Sequence, residues 1–419
     1  MTRIGFFDSG VETSGITRYV RALAGGIDRN EFDVTIFSGA PNLYSDLGVC
    51  VVDLNGDPRR ADPVAEATSP TFPTSRAFAR QAWRKFAPGP VNLLAGFGKG
   101  SVALARMFRR HPVDLMHVQI VGADEAAPAA RLAGIRRVAG TLHIDSSQSG
   151  ARRWLMETVT NHCLDRAIAV SAATARDWIR RTALPARLIT TIPNGVDTSR
   201  FEPKRTKAEA RRSLGLDVDG QPLIAAVGRL CEQKGFSFLL DAVARLGKMH
   251  AGATIAIAGN GPLRAALLEH ARALRIESRV KLLGHMNDVR PLLEAADLVV
   301  LPSLWEAMPY SLLEAMSMGL PAIGTRVAGV PEVIDADKTG FLVPPRDAVA
   351  LAAAIQPLLG DRVRRDSMGR AARQRIIRLF DEREMIATTL RLYRQLLGTN
   401  VVEDARKRNR FRSLQEVGR

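Results

Sequence analysis

Two carboxylates stand in an otherwise apolar stretch in the second half of the chain. The segment L-V-V-L-P-S-L-W-E-A-M-P-Y-S-L-L-E-A-M runs from Leu298 to Met316 and contains Glu306 and Glu314, eight positions apart. An ionised carboxylate is costly to bury without partners. Both side chains are therefore expected to reach a cleft, or to find hydroxyls, amides or cations inside the fold.

The elements around these carboxylates indicate what they could bind. Leu298–Leu301 is an apolar run typical of a buried parallel strand, and Ser311–Met318 is a helix-like run. Ligands of open α/β sheets bind beyond the carboxyl ends of the strands, so Glu306 in the loop and Glu314 in the helix are expected to face one crevice. The N–H groups of Tyr310 to Leu312, expected to be free at the helix start, suit an anion. A diol-binding carboxylate beside such a helix terminus fits a nucleotide diphosphate.

Two cations follow another predicted strand of the same half. After Leu223–Val227 comes G-R-L-C-E-Q-K-G, in which Arg229 and Lys234 flank a turn. Two fixed cations beyond a strand end can hold a diphosphate, although an exposed loop with ordinary charges explains them better when they are taken alone. The next strand runs into G-N-G-P, where Gly259 and Gly261 let a ligand lie against the backbone. That short pattern is weak evidence by itself.

The first half offers weaker candidates. Its first strand runs into D-S-G-V-E-T-S-G-I-T-R, in which Ser14 or Gly15 could open a helix toward a phosphate. A plain strand-to-helix turn is at least as good an interpretation of this loop. In T-L-H-I-D, His143 and Asp145 end an apolar strand and are well placed for a cleft. An isolated histidine at such a position is more often structural.

Alternating apolar runs and helical patterns predict an α/β fold with two doubly wound parallel sheets. At 419 residues the chain is too long for one core. We place one domain at residues 1–197, a second at 198–384, and at 385–419 a C-terminal helix and basic tail that could return to the N-terminal domain. A cleft between the two sheets is the default ligand site.

The predicted strands are short and regularly spaced. In the first half they lie at Ile4–Phe7, Val34–Phe37, Val49–Leu54, Leu115–Val118, Val138–Leu142, Ala167–Val170 and Leu188–Ile192. In the second half they lie at Leu223–Val227, Thr254–Ala258, Val280–Leu283, Leu298–Leu301, Ala322–Gly324 and Phe341–Val343.

The composition is ordinary for a soluble globular protein, with 46% hydrophobic and 24% charged residues. Three widely separated cysteines favour a reducing compartment and argue against a disulfide framework. The N-terminus lacks the apolar core of a secretory signal, and no apolar run approaches the roughly 18 residues of a membrane span. We therefore expect a cytoplasmic protein.

The net charge of +16 is unevenly distributed. Residues 76–110 contain eight basic and no acidic residues, interleaved with Trp83, Phe86 and Phe97. Such a mixture suits an anionic membrane surface and would make the protein peripheral at the inner face of a membrane. A solvated basic face explains it equally well. Nucleic acid is not expected as a partner, because no recognised binding motif accompanies the charge.

Taken together, the motifs resemble the retaining nucleotide-sugar glycosyltransferases of the GT-B fold, in particular the large family with an E-x7-E motif. The matching elements are G-R-L-x3-K-G (228–235), G-N-G-P (259–262), A-D-L-V-V-L-P-S-L-W-E-A (296–307), S-L-L-E-A-M-S-M-G-L-P (311–321), G-V-P-E (329–332) and G-F-L-V-P-P-R-D (340–347). V-S (170–171) and I-P-N-G-V-D (192–197) match in the first half. The resemblance implies two Rossmann-like domains facing each other across a cleft, the N-terminal one for the acceptor and the C-terminal one for the donor.

The resemblance also implies a role for each candidate residue. Glu314 would hold the ribose hydroxyls of the nucleotide, and Glu306 would hold hydroxyls of the transferred sugar. Arg229 and Lys234 would neutralise the diphosphate in place of a metal ion, and His143 would lie near the reacting end of the sugar. The other donor contacts would come from Gly15, Gly259, Gly261 and the segment Met308, Pro309, Tyr310, Ser311 and Leu312.

The chain departs from the family pattern at two places. A-M-P-Y at 307–310 replaces a Gly-Phe-Gly-type run, and Gly15 stands alone where many members have two adjacent glycines. The sequence shows no D-x-D-type metal triad in a suitable loop and no Cys/His cluster. We therefore expect no metal and no cofactor, with a nucleotide diphosphate sugar as substrate. The implied course is front-face attack, in which the departing phosphate takes the acceptor's proton.

Other functions remain open on the sequence. A sugar-nucleotide epimerase or a phosphorylase could share the fold. The former needs further acid/base residues in the cleft, and the latter needs a second phosphate site or a cofactor lysine. A nucleotide-sugar-binding protein without turnover could keep the same pocket. A nucleic-acid binder is suggested by charge alone, and its binding would depend strongly on salt.

Overall fold

The computed structural model describes residues 1–10, 14–55, 90–120, 125–143, 151–182, 184–216, 220–246 and 252–398. Within these ranges the chain divides into two compact units. The first contains Met1–Ala169, Ala175–Thr190 and the end of the last helix from Leu390, and the second contains Val170–Thr174 and Thr191–Thr389. This division falls shortly before the boundary expected at residue 197. Each unit holds one sheet of the predicted α/β type.

A seven-stranded sheet forms the first unit. Its strands are β1 (Thr2–Asp8), β2 (Phe32–Ser38), β3 (Cys50–Asp53), β4 (Leu115–Ile120), β5 (Arg137–Leu142), β6 (Arg166–Ala169) and β7 (Ile189–Thr191), in the order β3-β2-β1-β4-β5-β6-β7. The pairs from β3 to β6 are parallel. The helices of this half are α1 (Gly15–Gly26), α2 (Pro90–Arg110), α3 (Ala126–Leu132), α4 (Ala151–His162) and α5 (Ala172–Arg181).

Burial explains why these segments fold as they do. All six residues of β4 are buried, as expected for a central parallel strand covered on both faces. Helix α1 begins where the Ser14 hydroxyl accepts the Thr17 N–H at 3.2 Å, a side-chain N-cap. Its Tyr19, Val20 and Leu23 are fully buried, so the helix presents one apolar stripe to the core.

A six-stranded parallel sheet forms the second unit. Its strands are β8 (Leu223–Val227), β9 (Thr254–Ala258), β10 (Val280–Gly284), β11 (Leu298–Leu301), β12 (Ala322–Thr325) and β13 (Gly340–Val343), in the order β10-β9-β8-β11-β12-β13. The helices are α6 (Lys207–Ser213), α7 (Phe236–Ala244), α8 (Arg264–Ala273), α9 (Arg290–Ala295), α10 (Tyr310–Ser317), α11 (Val330–Val333), α12 (Ala348–Gly360), α13 (Arg362–Leu379) and α14 (Glu382–Leu397).

The second sheet is covered on both faces. Successive residues of β8 and β9 enter two different hydrophobic cores: Ala225 and Ala256 belong to one, Ile224 and Ile255 to the other. Each fully buried Ile or Leu contributes roughly 1.5–3 kcal/mol relative to an exposed side chain. A sheet held from both sides gives a rigid base to the loops that leave its carboxyl edge.

Helix α14 ends in the first unit. From Leu390 onward it packs with the first sheet, where the Tyr393 hydroxyl bonds to His117 Nδ1. Arg394 forms a two-pronged ion pair with Glu31, with N···O distances of 2.6 and 2.8 Å. His117 is fully buried on β4, and its Nε2 lies 2.7 Å from the Thr141 hydroxyl. The end of the last helix is therefore tied to β4 of the first unit.

Every helix in the described ranges is either too short or too polar to cross a bilayer.

We predict that burial of His117 decreases the free energy of unfolding at acidic pH. Removal from water, helped by the neighbouring His143, lowers the pKa of His117 to about 3, whereas an unfolded histidine titrates near 6.5. The stabilisation is thus fully present above pH 6.5 and is lost as pH falls toward 3. The free energy of unfolding is measured by calorimetry at pH 7.5 and at pH 5. Its decrease between these two pH values should be smaller by about 2 kcal/mol in His117→Gln than in the wild type.

The matched control is His162→Gln, which replaces an exposed histidine of the same unit. It should leave the difference between the two pH values unchanged. If the free energy of unfolding decreased equally between pH 7.5 and pH 5 in the wild type and in His117→Gln, His117 would not be a cause of the pH dependence.

Candidate active site

The second sheet reverses its winding between two neighbouring strands. The chain runs outward from β8 through β9 to β10, then returns to place β11 on the other side of β8. Ligands of open α/β sheets bind at such a switch point, beyond the carboxyl ends of the strands. Here the loops at the switch point are residues 228–235, after β8, and 302–309, after β11.

The two loops are joined directly. The Leu304 N–H donates to the Gln233 carbonyl at 2.7 Å, and Gln233 Nε2 donates to the Trp305 carbonyl at 3.0 Å. Beside them, Lys234 Nζ lies 2.5 Å from Glu306 Oε1. The side chains of this ion pair are 16% and 7% exposed, so most of the water around both charges has been removed.

Glu306 has the kinds of partner that its burial requires. Its Oε1 accepts the Lys234 ammonium and also the Ser303 hydroxyl at 2.8 Å. This confirms that the carboxylate is matched by a cation and a hydroxyl. The sequence analysis missed this ion pair and the role of Ser303, because it assigned Lys234 to a ligand. The signal that could have revealed the pair was the presence of opposite charges in two loops at one switch point. Within the described ranges both of these hydrogen bonds fall on Oε1, and Glu306 Oε2 has no hydrogen bond or ion pair.

Arg229 lies at the rim of the same loops. It follows β8 by two residues and its side chain is exposed. The backbone around it is fixed, since the Gly228 N–H donates to the Ala258 carbonyl at 3.0 Å and the Leu230 N–H to the Asn260 carbonyl at 2.9 Å. A fixed backbone with an exposed guanidinium suits capture of an anion that arrives from solvent.

The glycines of G-N-G-P are explained by contacts within the protein. A β-carbon on Gly259 would lie 1.9 Å from the Gly228 carbonyl oxygen, and one on Gly261 would lie 2.5 Å from that of Leu230. Both residues also have positive φ, 148° and 158°, which L side chains rarely adopt. Close approach of two loops thus requires both glycines, and their contact with a donor stays a prediction.

Helix α10 carries the second carboxylate. Glu314 is 3% exposed, in a helix whose N-cap residue is Pro309. The expectation that the Leu312 N–H is free is wrong: it donates to the Pro309 carbonyl at 3.2 Å, because the helix begins one residue earlier than predicted. Met308 is buried, while Tyr310 and Ser311 are partly exposed.

The candidates of the first unit lie at its own strand ends. Gly15 is exposed at the first position of α1. The turn before it is anchored by Asp8, a buried carboxylate that accepts the Gly10 N–H at 2.9 Å, the Thr17 hydroxyl at 3.2 Å and the Tyr44 hydroxyl. These bonds fix the start of α1, and sequence analysis did not find them.

His143 is partly exposed after β5. The backbone N–H of His143 donates to the Ile120 carbonyl at 2.8 Å, and its ring Nε2 lies 3.1 Å from Gln119 Oε1. Removal from water lowers the pKa of His143 to about 4, so the ring is neutral at pH 7. His143 can therefore take part in hydrogen bonds but carries no positive charge toward an anion.

The second unit thus brings together the loops of Arg229, Lys234 and Glu306, with Glu314 in the adjoining helix. Gly15 and His143 belong to the first unit, and Asp145 lies outside the described residues. No group of three or more His, Cys, Asp or Glu in the described ranges is arranged to hold a metal ion. The metal independence of the reaction stays a prediction.

Comparison with known proteins identifies the class. The profile of the family Glycosyl transferases group 1 matches residues 207–375, and that of Glycosyltransferase Family 4 matches residues 13–200. Alpha-D-kanosaminyltransferase of Streptomyces kanamyceticus is 30% identical over 308 residues, 68% of this chain and 79% of that protein. The chain therefore belongs to the group 1 glycosyltransferases and is an enzyme of this class.

Further relatives agree with this class. The UDP-Gal:alpha-D-GlcNAc-diphosphoundecaprenol alpha-1,3-galactosyltransferase of Escherichia coli is 29% identical over 299 residues, 68% of this chain and 76% of that protein. The crystal structure of Anabaena HepE in complex with UDP-glucose has a TM-score of 0.75 at 19% identity, covering 94% of this chain and all of that one. This structural likeness concerns the fold, which is GT-B.

We predict strong coupling between Lys234 and Glu306. Removing one partner leaves the other charge buried, which costs about 3 kcal/mol. Lys234→Met should therefore destabilise the protein by about that amount, and adding Glu306→Gln should recover part of it. Denaturant unfolding of both single variants and the double variant measures the coupling directly.

The control pair is Lys338 and Asp335, which are 3.4 Å apart with the lysine 76% exposed. Exposed pairs contribute about 0–1 kcal/mol, so Lys338→Met should have little effect. Additive losses at Lys234 and Glu306 would show that the two charges do not stabilise each other.

Proposed function

We propose that the protein is a metal-independent, retaining glycosyltransferase. It moves a sugar from a nucleotide diphosphate sugar to a hydroxyl of a glycan or lipid-linked acceptor. The observation that carries this proposal is the switch point of the second sheet, where a buried Lys234–Glu306 ion pair, the exposed Arg229 and the buried Glu314 occupy adjoining elements.

The two carboxylates divide the donor between them. Glu306 Oε1 is occupied by Lys234 and Ser303. Its Oε2, which has no hydrogen bond or ion pair among the described residues, is available to a hydroxyl of the transferred sugar. Glu314, one turn into α10, binds the ribose hydroxyls of the nucleotide. Two carboxylates held by different elements can thus bind the two ends of one donor.

The diphosphate is held by cations and a helix start. Arg229 supplies a planar guanidinium that can bond two phosphate oxygens at once. Lys234 uses one of its three N–H donors on Glu306 in the described structure and keeps two for phosphate. The partial positive charge at the start of α10 adds to both. Preorganised donors of this kind stabilise the charge that develops on a leaving group.

Bond changes in the proposed reaction balance without a cofactor. The bond from the sugar's anomeric carbon to the phosphate oxygen breaks, and a bond to the acceptor oxygen forms on the same face. The acceptor's proton moves to the departing phosphate. His143, neutral at pH 7, offers a hydrogen bond near the reacting end of the sugar rather than a charge.

Support for the donor and acceptor classes comes from relatives. The Escherichia coli galactosyltransferase is named for a UDP sugar and a diphosphoundecaprenol-linked acceptor, and HepE was crystallised with UDP-glucose. Two alternatives compete with the proposal: a nucleotide-sugar-binding protein without turnover, and a sugar-nucleotide epimerase. Transfer of labelled sugar to an acceptor favours the proposal. Binding without reaction favours the first alternative, and conversion of the sugar without an acceptor favours the second.

The proposal predicts nucleotide-dependent stabilisation. A thermal-shift screen against UDP, GDP, ADP and their sugar conjugates, with EDTA present, should give a positive shift with one nucleotide series. Glu314→Gln keeps the shape of the side chain and should weaken binding of that nucleotide tenfold or more, because the ribose loses a charged acceptor.

The matched control is Glu269→Gln, which replaces an exposed glutamate of the same unit. It should bind the nucleotide like the wild type. A wild type that responds to no nucleotide would contradict the proposed function. Unchanged affinity in Glu314→Gln would contradict only the ribose assignment.

We further propose that the acceptor is reached at an anionic membrane surface, through basic residues 76–110. Residues 76–89 lie outside the described residues. The C-terminal end of α2 carries Arg106, Arg109 and Arg110, and the Arg109 guanidinium donates to the Leu132 carbonyl. The support is the charge and aromatic content of the sequence.

The membrane proposal predicts lipid-dependent sedimentation. The protein should sediment with vesicles that contain phosphatidylglycerol and remain in solution with pure phosphatidylcholine, because basic residues each add attraction to an anionic surface. Binding should fall at high salt. Equal sedimentation with both lipids would remove the basis of this proposal.

A further inference from the structure

Three motifs of the second unit take no part in the proposed reaction. They are V-S at 170–171, I-P-N-G-V-D at 192–197 and G-V-P-E at 329–332. In the structure the second and third motifs bond to residues 307–309, the segment that joins Glu306 to helix α10, and the first lies against the third, where Ser171 meets Gly329. This convergence indicates a shared task, namely to fix that segment.

The first contact is made by Asn194. Its Nδ2 donates to the Met308 carbonyl at 2.9 Å, and the residue is only 4% exposed. A buried carbonyl needs a hydrogen-bond partner, and here the partner comes from a turn 114 positions away. Asn194 is itself held, because a β-carbon on its neighbour Gly195 would lie 2.5 Å from the Glu382 Cα.

A second contact is made by Gly329. Its N–H donates to the Ala307 carbonyl at 3.0 Å, and a β-carbon on Gly329 would lie 2.1 Å from the same oxygen and 3.0 Å from the Ser171 Cβ. In a trans peptide the N–H points opposite to the carbonyl. Fixing the Ala307 carbonyl therefore also fixes the direction of the Met308 N–H, a group of the predicted donor segment.

We propose that Asn194 is a positioning residue for the sugar end of the donor site. It holds Met308, and through it the carboxylate of Glu306 two residues earlier. The nucleotide end has a separate anchor, since α10 is held by the bond from the Ser317 hydroxyl to the Phe201 carbonyl at 2.9 Å. Losing the Asn194 amide should disturb binding of the sugar more than binding of the nucleotide. This inference rests on the proposed function.

The test compares affinities for a nucleotide sugar and for its nucleotide diphosphate. Calorimetric titrations use the nucleotide series (UDP, GDP or ADP) that stabilises the wild type, with one sugar conjugate of that nucleotide that the wild type binds and the corresponding nucleotide diphosphate. In Asn194→Ala the sugar conjugate should weaken about tenfold, as expected for one buried hydrogen bond, while the diphosphate changes less than threefold. Asn194→Asp keeps the shape, removes the N–H donor and should weaken the conjugate at least as much.

Thr198→Ala is the matched control. Thr198 is buried in the chain segment that follows, and its hydroxyl donates to Asp381 at 3.0 Å without touching residues 307–309. It should lower the melting temperature without changing the ratio of the two affinities. If both Asn194 variants lost equal affinity for the nucleotide sugar and for the nucleotide diphosphate, the role of Asn194 would be merely structural and the inference would be overturned. A wild type that binds none of the three nucleotide diphosphates and none of their sugar conjugates would overturn the proposed function together with it.

Discussion

The ion pair between Lys234 and Glu306 is the constraint on which the site depends. Taking two charges out of water is expensive, and their attraction compensates only if the geometry is good and further hydrogen bonds reach the pair. Here the distance is 2.5 Å, Ser303 takes a second place on the carboxylate, and Gln233 joins the two loops by backbone and side chain. A shift of either loop would break several of these bonds at once. The two loops are therefore held to each other by several bonds that do not involve a ligand.

Rigidity is distributed unevenly over the charged groups. Both carboxylates are buried, and the helix that carries Glu314 is anchored at its far end, where the Arg373 guanidinium bonds to the Ser317 carbonyl at 2.5 Å. Arg229 stands on a fixed backbone but has an exposed side chain. Fixed carboxylates select the geometry of hydroxyl groups, which are directional ligands. An exposed guanidinium can reach an anion that arrives from solvent and bond two of its oxygens at once.

Much of the fold and of the candidate site could be predicted from the sequence. The contacts that were not predicted have a common cause. Strands such as Leu298–Leu301 were found because a strand buried on both faces is a continuous apolar run. The need of Glu306 for a cation or hydroxyl followed from the cost of burial, but Lys234 lies 72 positions away and the pairing depends on strand order, which apolar runs do not encode. Gly259 was expected to let a ligand lie against the backbone; the structure shows that the Gly228 carbonyl also approaches it too closely for a side chain. A sequence shows that a glycine is needed without showing what approaches it.

Charge balance limits how the proposed reaction can end. Among the groups assigned to the crevice, Arg229 and Lys234 contribute +2 and Glu306 and Glu314 contribute −2, a formal sum of zero. Among these assigned groups of the second unit, the partial charge of a helix start is what remains to oppose a departing diphosphate. A fully ionised leaving group would be poorly matched there. Transfer of the acceptor's proton to the departing phosphate reduces its charge by one, so this route fits the small positive potential that the residues provide.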